Sequence, residues 1–239
     1  LISALKAYTW FVQDQQLLEK WRGQTGEPIF DDPDSVTTIG RAIDRWATLT
    51  NAFKDNPDLH NLLLNMFVKV YDVIDRTYEP AHVAVAQYYL DHDDAKDALQ
   101  ELHVATNENP NDVSALLVLG SIAVDQFNFD QLDQIVNTLR SINPHSPEAD
   151  LLEARNLMLQ QVPEKAIAPI QLVLKIQPDN LEALGLLSGA YALMLEDGNS
   201  ADVLKRVEKI DPDNATAYFE VAQQLASMRQ YPRAEKDFK

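Results

Sequence analysis

The chain has 239 residues, of which 46% are hydrophobic and 24% charged, with seven glycines and no cysteine. That composition fits a helix-rich folded protein, and the missing cysteines exclude disulfides, thiol catalysis and cysteine-bound zinc while leaving the compartment open. The net charge of −17 disfavours nucleic acid and anionic lipid surfaces as partners. No apolar run approaches the ~18 residues that a bilayer-spanning helix needs.

Leu1–Trp21 places apolar residues at Leu1, Leu5, Tyr8, Val12, Leu18 and Trp21, with Trp10, Phe11 and Leu17 beside them. This pattern predicts an amphipathic helix with a broad apolar stripe. Turn formers and acids dominate from Gly23 to Asp34 and predict a loop. Ile29 and Phe30 are out of character there. They either tuck against neighbouring helices or form an internal, ligand-like segment lying on the rest of the chain. A second helix is expected from about Ser35 to Lys54, with Ile39, Ile43, Trp46, Leu49, Ala52 and Phe53 on its inner side. Asn56-Pro57-Asp58 restarts the chain as a cap with a first-turn proline. A third helix then runs to about Tyr78. Residues 1–78 form an N-terminal helical region whose hairpin reads as a degenerate repeat or cap, or else as a separate interaction module.

From Glu79 the chain becomes periodic. Four segments of 34 residues follow without insertion or deletion: Glu79–Asp112, Val113–Ser146, Pro147–Asn180 and Leu181–Asn214, with a partial fifth over Ala215–Lys239. The eighth position is always small (Ala86, Gly120, Ala154, Ser188, Ala222), and the twentieth mostly so (Ala98, Leu132, Ala166, Ser200, Ala234). The twenty-seventh is apolar (Ala105, Leu139, Val173, Val207), and the thirty-second is always proline (Pro110, Pro144, Pro178, Pro212). Small residues let paired helices approach closely. Proline ends the second helix, and Asp112, Ser146, Asn180 and Asn214 are placed to cap the helix that follows. Residues 79–239 are therefore expected to form a solenoid of helical hairpins. Its four complete segments hold eight Lys/Arg against twenty-three Asp/Glu, so the acidity is concentrated there.

This register resembles the tetratricopeptide repeat, a 34-residue helix–turn–helix unit with a small residue near position eight. The resemblance covers about two thirds of the chain. The aromatic consensus positions are mostly replaced, with His82, Leu116, Asp150, Leu184 and Tyr218 at position four. It implies an all-α, right-handed α-solenoid with an N-terminal helical cap, used for protein or peptide binding, with no reaction and no cofactor. In that family the first helix of each repeat lines a concave groove. The matching positions here are Val83, Leu117, Leu151 and Phe219 at five, Val118, Leu152 and Leu186 at six, and Gln87, Ser121, Arg155 and Gln223 at nine. These imply an apolar floor with acids such as Glu148, Glu182, Asp125 and Glu220 nearby, suited to a neutral or basic peptide or helix with apolar anchors. The Lys, Asn and Arg set by which some family members clamp a chaperone's C-terminal carboxylate is not matched; Arg155 is the one basic groove residue.

Phosphate-loop, dinucleotide, zincin and nucleophile-elbow motifs are missing from the sequence, so no catalytic role is expected. Asp91-His92-Asp93-Asp94 gathers metal-ligand types but lacks the glycine and distal glutamate of an EF-hand. It reads as a solvated capping turn, with a cation site as the alternative. His60, His82, His103 and His145 are expected in packing or surface roles. The chain starts without Met, and its fifth segment stops inside a second helix, so it reads as part of something longer. That end is expected to fray or to mate with another copy. The readings that follow are a non-catalytic interaction scaffold, the recognition arm of a larger enzyme such as a glycosyltransferase or peptidase, and a spacer.

Overall fold

The computed structural model of the chain describes residues 32–212 and 215–227, together with Tyr231 and Arg233. The expected helix over Leu1–Trp21, the segment around Ile29 and Phe30, and most of the fifth repeat's second helix lie outside the described residues. Among those described, all regular secondary structure is helical, and no helix is long and apolar enough to cross a membrane. The chain forms two compact units that divide between Val118 and Leu119.

In the first unit α1 spans Pro33–Thr50, starting earlier than the loop reading of Asp32–Asp34 allowed. The reason is local. Asp32 caps the helix by accepting from the Ser35 amide at 2.8 Å, and Pro33 occupies the first helical position, where its missing donor costs nothing. Asn51 then turns left-handed at φ 57° and splits off the short helix α2, Ala52–Asp55, so the single helix expected to Lys54 is broken. Leu49 points outward at 76% exposure rather than inward. Helix α3, Asp58–Lys69, continues through a π-helical turn over Val70–Ile74 and stops there, short of Tyr78.

Helices α1 and α3 pack on each other and on α4, Glu79–Asp91. Their core comprises Ile43, Leu63, Phe67, Ala84, Val85 and Tyr88. Gly40 is required at this crossing, because a Cβ there would lie 2.4 Å from the Phe67 ring. Helix α5, Ala95–Glu108, pairs with α4 and buries Ala98, Leu102 and Ala105 completely.

From α4 onward the helices keep the 34-residue period. Helix α6 spans Val113–Asp125, crossing from the first unit into the second, and α7 spans Phe129–Ile142. Helices α8 and α9 span Pro147–Leu159 and Pro163–Ile176. Helices α10 and α11 span Leu181–Leu193 and Asp197–Ile210, and α12 spans Thr216–Ser227. Each second helix ends two residues before its proline, as the missing amide and ring clash require. Asp112, Ser146 and Asn180 accept from the amides of Ala115, Ala149 and Ala183 at 3.1, 3.2 and 2.9 Å, so the caps stand where the period placed them. Inside the second unit Ala154, Ser188, Ala166 and Val173 are fully buried. In the fourth repeat two serines replace the alanines, and the Ser188 and Ser200 hydroxyls satisfy each other at 2.8 Å.

Candidate interaction face

The first helices of the repeats in the second unit do not leave an open apolar floor between them, because glycines bring them together. A Cβ on Gly120 would lie 2.8 Å from Leu152, so the α8 leucine fills the space that glycine leaves in α6. On α10 the effect is stronger. A Cβ on Gly185 would lie 2.9 Å from both Ala217 Cα and Glu220 Cβ, and one on Gly189 would lie 3.2 Å from Gln224 Cγ. Gly185 and Gly189 are four residues apart and therefore share one face. That face lets α12 approach α10 almost backbone to backbone.

This approach assembles an ion cluster. The Arg155 guanidinium on α8 grips Glu220 of α12 with two bonds of 3.0 and 2.7 Å and donates to Glu182 of α10 at 3.0 Å. The Arg155 and Glu220 side chains are 18% and 8% exposed, whereas Glu182 keeps 42%. Burial alone would lower the arginine's pKa. The two carboxylates outweigh it and hold the pKa above its usual value. A second network runs between α7 and α8, where Arg140 bonds Asp150 at 2.7 Å and also Glu153, and Asn156 donates to Asp133 at 2.7 Å.

The residues expected to line a groove are therefore distributed unevenly. Leu151 and Leu152 are each 7% exposed, and Leu186 is fully enclosed among Ala154, Met158 and Ile170. In the first unit Val83 is buried, Leu117 and Val118 are half-buried, and Gln87 is exposed and bonded to Asp91 at 3.0 Å. The structure leaves Ser121 exposed, Gln223 half-buried, and Phe219 as the one exposed member of the expected apolar set, at 53%. The face formed by α8, α10 and α12 is polar, centred on Arg155, with one phenyl ring standing beside it. Sequence reasoning named Arg155, Glu182 and Glu220 but not their union. The signal was present, because positions nine, two and six of successive repeats converge once the first helices run parallel.

A second group of polar side chains in the first unit was not foreseen. Phe53 stacks on His60 with ring centroids 4.3 Å apart, and the rings of His92 and Tyr88 close against this pair. Asp44 Oδ1 and His92 Nε2 are buried and face each other at 3.8 Å, beyond hydrogen-bond reach. Burial, with Asp91 adding to it, pushes the Asp44 carboxyl up to about 6, while burial and then His60 push His92 down. The Asp91–Asp94 turn is therefore only partly solvated: Asp94 caps α5 through the Asp97 amide, and His92 turns inward. Among the described residues no group of three His, Asp or Glu side chains is placed to hold a metal ion.

No protein-family model matches the chain, and no curated protein does. Solved structures do. A tetratricopeptide repeat protein from Parabacteroides merdae is similar over 98% of this chain and 88% of its own, with a TM-score of 0.69 at 15% identity. Pseudomonas aeruginosa PilF is similar over 86% of this chain and 90% of its own, with a TM-score of 0.58 at 12% identity. At these identities the likeness concerns fold, and it coincides with the 34-residue period, the caps and the prolines seen here. The chain has the all-α fold of the tetratricopeptide-repeat proteins.

Proposed function

We propose that the chain is a non-catalytic scaffold that binds a peptide or helix of a partner protein along the first helices of its repeats. The observation that carries this reading is the face of α8, α10 and α12, where Phe219 is exposed beside the Arg155–Glu182–Glu220 cluster. An exposed aromatic next to a fixed charge cluster supplies an apolar anchor and an orienting polar contact, the combination that dominates binding energies at interfaces. The excess of acid over base in the repeats favours a neutral or basic partner segment. The buried leucines serve as the rigid support of this face rather than as its contacts.

A photo-crosslinking residue at position 219 tests the reading. It is expected to capture a discrete partner, with capture competed by the wild-type chain and not by Phe219→Ser. Equal capture from position 172, which is exposed on α9, would overturn it.

A further inference from the structure

We draw no further inference here: the strongest candidate, the side-chain cluster of Asp44, His60, Tyr88 and His92 between α1 and the C-terminal end of α4, carries nothing, because burial favours a proton on Asp44 while disfavouring one on His92, so their responses to pH oppose each other, and no three acidic or imidazole groups among the described residues are placed to hold a metal ion.

Discussion

Arg155 offers the sharpest quantitative test of the packing. Replacing it with alanine leaves Glu220, at 8% side-chain exposure, as a buried carboxylate whose two bonds to the guanidinium are gone. Stranding one partner of a buried pair costs about 3–5 kcal/mol. At roughly 2–4 °C per kcal/mol for a chain of this size, the melting temperature should fall by roughly 6–20 °C. The loss is expected to be local, because a repeat array transmits strain mainly to neighbours. Hydrogen exchange should therefore accelerate in α10 and α12 and remain near wild type in α4 and α5. The double variant R155M/E220L, which removes both charges, should return to within about 1 kcal/mol of wild type. Urea unfolding followed by circular dichroism, with the double-mutant cycle, measures these terms. An R155A variant that loses less than about 1 kcal/mol would refute the argument, because the ion cluster would then behave as an exposed one.

Three further outcomes are expected. Gly185→Ala drives a Cβ to 2.9 Å from the Ala217 backbone and should cost about 1–3 kcal/mol, while Gly198→Ala, with nothing within 4 Å, should stabilise by up to about 1 kcal/mol; similar melting shifts for both would refute the close approach. Leu186→Glu buries a carboxylate at a fully enclosed site and should cost several kcal/mol, whereas Phe219→Glu should change stability by under about 1 kcal/mol, as thermal melts will show. Asp44 has a folded pKa of about 6 against 3.8 unfolded, so its stabilising contribution is whole below about pH 4 and lost as the pH rises through 6, a difference of about 3 kcal/mol. His92, depressed below 6.5, acts oppositely, contributing stability above that pH and losing it as the pH falls. Asp44→Asn should flatten the wild-type decline between pH 4 and 7, and parallel curves would count against the burial of Asp44.

The repeat framework was legible because it is written in local rules. Proline, cap and small residue act within a few positions of themselves, so Pro144, Ser146 and Ala154 specify a helix end, a helix start and a close contact without reference to distant parts of the chain. The same locality explains the misreadings near the start. Leu49 fits an inward helical spacing, but Asn51 can turn left-handed, and whether a helix ends there depends on what Phe53 and Ala47 pack against.

The candidate site was legible only in its ingredients. Arg155 was marked as the one basic side chain on the first-helix face, and Glu182 and Glu220 as acids near it. Whether Leu151 and Leu186 face solvent is set by the separation of parallel helices, and that separation follows from which atoms meet across a crossing 30 or more residues apart. Gly185 and Gly189 stand at positions five and nine of the fourth repeat and are the points at which α12 closes on α10. The period, and within the repeats the helix ends and caps, belong to the sequence by itself, since each is a short-range property of the backbone. The closure of the first-helix face, the clustering of Arg155 with two carboxylates and the meeting of Asp44 with His92 were decided by tertiary packing, because burial and Coulomb energy depend on distances that no local pattern encodes.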